Sequence, residues 1–212
     1  MQRCKIAYLD HATDVGGGAE EALVDLLRFV DRERFEPVLI VAERSDWLRN
    51  VDLEGVEVIR YFPESEEILE RSRDTLGEVR SNLRSLRHSL RPVRQLVHIL
   101  RRHKVDIVHT NSLKTHVLGG LAARWARKPL IWDVRDILDP GPARRLLLSV
   151  ARLTHPHIIA MSGAVAKSLA PARCATTVVH GGRSPEHFVQ AEPSPELRAE
   201  LGLTEANEVI SV

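Results

Sequence analysis

Short apolar runs alternate along this chain with longer stretches of helical spacing. The first run, residues 6–9, stops at Asp10. A polar loop and three consecutive glycines follow, and then Ala19, Ala22, Leu23, Leu26, Leu27 and Val30 recur in steps of three and four. That is the spacing of one helix face. Residues 37–42 are apolar without interruption, as a strand covered on both faces must be. Residues 56–60, 105–109, 129–134, 156–160, 176–179 and 208–212 read as further strands. Residues 112–127, 143–153, 162–169 and 195–201 read as helices, with Ser162 as an N-cap. Strands alternating with helices predict an α/β fold, a parallel sheet with helices on both faces.

One segment departs from this rhythm. Residues 64–104 open acidic and turn basic, with Leu76, Val79, Leu83, Leu86, Leu90, Val93, Leu96 and Ile99 on one helical stripe. Arg80, Arg84, Arg87, Arg91 and Arg94 each follow an apolar position, so a basic stripe flanks the apolar one. Pro92 is expected to divide or kink the helix. Either the stripe packs on the sheet with arginine stems along its edge, or residues 76–104 make peripheral contact with an anionic membrane.

Composition narrows the classes. The 212 residues are 43% hydrophobic and 28% charged with a net charge of +1, ordinary for a globular protein and no argument for nucleic acid. Cys4 and Cys174 match no metal spacing and point to a reducing, cytoplasmic setting, with the inner face of a membrane open as a site of contact. No apolar run is long enough to span a bilayer.

Chemistry is expected beyond the carboxyl ends of the strands, where such sheets bind ligands. The run Gly16, Gly17 and Gly18 stands between strand and helix. There, backbone N–H groups and the helix N-terminus suit a phosphate; tight packing is the plainer alternative. His109, Asn111, Ser112, Lys114 and His116 cluster at one strand end. They suit a hydroxyl-rich ligand, although Asn111 or Ser112 could simply cap a helix and His109 sit in the core. Asp133, Arg135 and Asp136 follow another strand, and Arg135 could hold a phosphate or carboxylate or pair with Asp136. The glycine run lacks the Lys-Ser/Thr of a P-loop and is not GxGxxG, although Glu43 stands where a ribose-binding acid would. No zinc spacing, DxD sequence or assignable Ser-His-Asp set is present, and His155-Pro-His157 is too rigid for a metal site.

Five blocks together carry a resemblance. They are VGGGAEEALVDLL, VDIVHTNSLKTHVLGGLAARWARKPLIWDVRD, IIAMSGAVAKSLA, TTVVHGGRSPEHF and LRAELGLTEANEVISV. The chain resembles the N-terminal, Rossmann-like half of glycosyltransferase family 4 enzymes, which have the GT-B fold. The resemblance implies residues 1–190 as the acceptor-side domain, and 191–212 as linker and first strand of a second domain. It implies transfer of a hexosyl-type sugar from a nucleotide-sugar donor to a hydroxyl on a glycan or lipid-linked acceptor, with retention. No metal or other cofactor is expected. Gly16, Gly17 and Gly18 would meet the donor phosphates, or lie near the acceptor. Asp14, His109, Asn111, Ser112, Lys114, Asp133, Arg135 and Asp136 would line the acceptor side. No catalytic residue is assignable in this half, and the fragment alone is expected to be inactive. The sequence departs from the family at Asp133, where His is common, and at Gly181-Gly182-Arg183, where an Asn-Gly hinge is common. A non-catalytic nucleotide or glycan module, an interaction protein using the basic helix, and a nucleotide-sugar epimerase are the rival readings.

Overall fold

Continuous apolar runs need cover on both sides, and the sheet supplies it. The computed structural model describes residues 3–12, 17–49, 51–62, 82–182, 195–202 and 204, with side chains from 91 onward in the helix that starts at 82. Among them are seven strands: β1 (Cys4–Leu9), β2 (Phe35–Ala42), β3 (Glu57–Phe62), β4 (Ile107–Thr110), β5 (Leu130–Val134), β6 (His157–Ala160) and β7 (Thr176–Val178). They form one parallel sheet in the order β3-β2-β1-β4-β5-β6-β7. The order reverses between β1 and β4, the switch point at which such sheets open a crevice.

The helices among the described residues are α1 (Gly18–Phe29), α2 (Asn82–Arg102), α3 (Leu113–Ala126), α4 (Pro142–Thr154), α5 (Gly163–Leu169) and α6 (Pro195–Glu200). Alternation along each strand splits the core into two layers. Ile6, Tyr8, Leu39 and Val41 face α1 through Leu23, Val24 and Leu27. Ala7, Leu9, Val108, Trp132 and Ile158 face the other way, against Val93, Leu96 and Leu100 of α2, Ala122 and Ala123 of α3, and Leu147 and Ala151 of α4. The chain divides into two compact units, Met1–Gly182 and Arg183–Val212. In the second, α6 ends in a turn at Gly202 (φ 65°), and the Arg198 guanidinium donates to the Thr204 carbonyl at 2.8 Å.

Two expectations are corrected. Helix α2 continues through Pro92, so the proline does not divide it. An interior proline costs about 3 kcal/mol, but Val93, Leu96, Val97 and Leu100 are all buried just after it. Each contributes about 1.5–3 kcal/mol on burial, so packing wins. The Tyr61 hydroxyl also donates to the Pro92 carbonyl at 2.6 Å. The second correction is Val105, which belongs to the helix cap and not to β4. Lys104 takes φ 52°, and the Val105 N–H returns to the Leu100 carbonyl at 3.0 Å, a Schellman closure. The expected helix start at 64–81 and the strand at 208–212 lie outside the described residues.

Ser162 caps α5 as the sequence predicts, its hydroxyl accepting from the Val165 N–H at 3.3 Å. Of the two readings of the basic segment, burial of the stripe from Val93 to Leu100 supports packing on the sheet.

Candidate functional site

Strand register builds the rim of the crevice. Leu9 stands opposite Thr110, and Thr110 opposite Trp132. The next residues, Asp10, Asn111 and Asp133, therefore form a lateral row across β1, β4 and β5 on the α1 face. The Asp10 N–H bonds the Ile40 carbonyl at 3.0 Å and the Asn111 N–H the Leu9 carbonyl at 3.2 Å, so the backbone pairing continues to this row. All three side chains are buried.

Asn111 joins the row to the glycine run. Its side-chain amide donates to the Ala19 carbonyl in the first turn of α1 at 3.3 Å. Among the described residues its Oδ1 is buried without a partner, as is Oδ1 of Asp10. The other Asp10 oxygen accepts the Ala12 N–H at 3.1 Å. Burial pushes the Asp10 carboxyl up to about 6, against the pull of that N–H group.

A second tie crosses the same gap. His11 Nδ1 lies 2.7 Å from the Ser112 hydroxyl. Ser112 opens α3 with Thr115, whose hydroxyl accepts the Ser112 N–H at 3.0 Å. Burial and the nearby Lys114 cation lower the His11 pKa, so the ring is neutral at pH 7. Asp10 and His11 stand at the start of the polar loop that precedes the glycine run. Their signal is positional: they directly follow the apolar run of β1.

The two remaining histidines are core residues. His109 packs against Tyr8 with ring centroids 5.0 Å apart, and burial holds its pKa at about 4. His116 stacks on Trp132 at 4.9 Å, and burial holds it at about 3. The Thr110 hydroxyl donates to the Ile131 carbonyl at 3.2 Å. Its 2.7 Å contact with His116 Nδ1 is therefore donated by the ring, which fixes the neutral Nδ1–H tautomer.

Arg135 pairs with Asp133 at 2.7 Å and not with Asp136, which is exposed. Alternation explains the choice, because Asp133 and Arg135 share a face and Asp136 does not. Gly17 is the N-cap of α1 with φ −99°, a conformation open to any residue, so its glycine is not demanded by the backbone. Its N–H is taken by the Glu20 carboxylate at 2.7 Å. The rim thus brings together Gly17, Gly18, Asn111, Ser112, Asp133 and Arg135; His109 lies beneath it in the core, Lys114 follows in the first turn of α3 and Asp136 stands outside the row. Asp14 and Gly16 lie outside the described residues. The arrangement offers hydrogen-bond acceptors, one arginine and a helix N-terminus, which suits polar, hydroxyl-bearing and anionic groups.

Comparison with known proteins fits this geometry. The family model of Glycosyltransferase Family 4 matches residues 16–187. No curated protein matches the chain. Among solved structures, Anabaena HepE in complex with UDP is 25% identical with a TM-score of 0.62, over 93% of this chain and 50% of that one. A glycosyltransferase from Rickettsia africae ESF-5 is 16% identical with a TM-score of 0.65, over 97% and 51%. A putative UDP-N-acetylglucosamine 2-epimerase from Listeria monocytogenes is 14% identical with a TM-score of 0.63, over 95% and 52%. The last two likenesses concern the fold alone. The chain spans about half the length of each of these structures.

Proposed function

This chain belongs to Glycosyltransferase Family 4, and on that premise we propose that its rim is one wall of a sugar-transfer cleft. Its fold is the Rossmann-like, N-terminal half of the GT-B architecture. The complete enzyme moves a hexosyl-type sugar from a nucleotide-sugar donor to a hydroxyl of a glycan or lipid-linked acceptor, with retention. The observation that carries this reading is the double tie across the switch point, Asn111 to Ala19 and His11 to Ser112. These contacts hold the start of α1 against the polar row of β1, β4 and β5. HepE, with which the chain shares 25% identity, is crystallised with UDP, which supports a nucleotide diphosphate donor.

In this reading the donor phosphate replaces the Glu20 carboxylate at the Gly17 N–H and at the N-terminus of α1. Oriented N–H groups stabilise the departing diphosphate without a metal, because fixed dipoles need no reorganisation as charge develops. Gly16 shares this seat. The acceptor hydroxyl lies along Asp14, His109, Asn111, Ser112, Lys114, Asp133, Arg135 and Asp136. Residues 1–190 form the acceptor-side domain and 191–212 lead into the second. A water-excluding cleft needs both walls, so the 212 residues alone transfer no sugar efficiently.

Gly17→Val tests the phosphate seat in the complete enzyme. Its backbone conformation accepts a side chain, and a Cβ would lie 3.4 Å from a Glu20 oxygen, so folding is preserved. The expected result is a donor KM raised about tenfold or more with an unchanged circular dichroism spectrum. Unchanged donor kinetics would remove the glycine run from the donor site.

A further inference from the structure

The layer of helices on the face opposite α1 has an unusual charge. Helices α2, α3 and α4 lie side by side, packing on one core. None of the three contains Asp or Glu; every charged side chain in them is Arg or Lys. The whole chain has a net charge of only +1, so this excess is offset elsewhere. On the opposite face, α1 carries Glu20, Glu21 and Asp25 against a single Arg28. Among the described residues, the helices on the two faces of the sheet therefore carry opposite net charge.

The outer surface of the basic layer also presents apolar groups. On α4, Arg145, Leu146, Arg152 and Leu153 share one exposed stripe, with Leu146 41% and Leu153 57% exposed. On α3, Arg124 is exposed beside Trp125, which is 48% exposed. Arg101 of α2 reaches the Trp125 carbonyl at 3.2 Å, and Arg152 the Pro171 carbonyl at 2.9 Å. Carbonyl partners orient these guanidinium groups and leave their charge in place.

We propose that the outer face of α2, α3 and α4, centred on Arg124, Trp125, Arg145, Leu146, Arg152 and Leu153, docks on an anionic lipid bilayer. Guanidinium groups meet the headgroup phosphates, and Trp125, Leu146 and Leu153 enter the interface, where tryptophan and leucine are favoured next to basic residues. The apolar stripe of α2 itself takes no part, because Val93, Leu96, Val97 and Leu100 are buried in the core. Exposed leucines between the arginines favour lipid over nucleic acid, whose phosphates attract the charges and offer nothing to the leucines. The inference concerns a surface away from the sugar-transfer rim and stands whether or not that reading holds.

The 212-residue chain carries its own reporter. Of its three tryptophans, Trp47 and Trp132 are buried and Trp125 alone is exposed. The test is co-sedimentation with vesicles of phosphatidylcholine, with and without about one third phosphatidylglycerol, read together with tryptophan emission. The expected result is binding to the anionic vesicles alone, weakened by salt, with a blue shift that Trp125→Phe abolishes while binding persists. Arg124→Glu/Arg145→Glu lowers vesicle partitioning about tenfold or more. Phe29→Ser, on the exposed surface of α1, leaves it unchanged. Failure to bind anionic vesicles overturns the proposal. So does binding that survives the double charge reversal, or binding to a single-stranded oligonucleotide without vesicle binding.

Discussion

Gly119 and Gly120 are adjacent in α3, and their surroundings differ. A Cβ on Gly119 would meet Leu9 and Thr110 side-chain atoms at 2.8 Å, whereas on Gly120 its nearest neighbour would be Leu130 at 3.5 Å. Leu9 and Thr110 are fully buried and have little room to yield. Gly119→Ala is therefore expected to cost about 1–3 kcal/mol by overpacking, and Gly120→Ala to be neutral or to gain up to about 1 kcal/mol of helix propensity. Urea denaturation of the two variants separates them; equal midpoints would contradict the close helix–sheet contact. The buried histidines set a pH dependence. Below pH 6.5 the unfolded chain protonates both imidazoles, while the folded chain refuses until about 4 at His109 and about 3 at His116. Unfolding takes up protons there, so stability falls with acidification. Asp10, raised to about 6, acts in the opposite sense between pH 6 and its unfolded value of about 4, but one carboxyl offsets only one imidazole. A loss on the order of 2 kcal/mol is expected from pH 7 to pH 5 in urea titrations, with a smaller slope in His116→Gln. A flat profile in the parent chain would show that these rings are protonated in the folded state.

Elements were legible wherever a periodic pattern met a strong local signal. The uninterrupted apolar run of β2 and the Ser162 cap both follow directly from residue chemistry. Helix ends were less legible. Lys104, Arg127, His155 and Arg173 close helical segments in the left-handed conformation, with φ between 49° and 59°. This position usually takes glycine, so the sequence gives little warning. Basic residues there do face the negative end of the helix dipole, which supports them. Pro92 misleads for a related reason: its local cost is visible in the sequence, and the buried side chains that outweigh it are tertiary. The site divides in the same way. The segments at the strand ends could be named from the alternation of apolar and polar runs. That Asn111 reaches Ala19 and that Asp10 and His11 belong to the rim depend on register between strands far apart in sequence, whereas the Arg135–Asp133 pair follows from alternation within one strand end.

Across the whole molecule, the carboxyl rim of the sheet is polar and the α2–α3–α4 layer is basic. The polar row stands at the β1/β4 switch point, where the proposal puts one wall of a cleft, and the chain is about half the length of the solved structures it resembles. The most direct test is hydrogen–deuterium exchange on the complete enzyme with and without UDP-glucose. Ligand should slow amide exchange at residues 17–21 and 111–115, where the helix N-termini of α1 and α3 meet across the switch point. Nucleotide binding that leaves both segments unchanged would contradict the account.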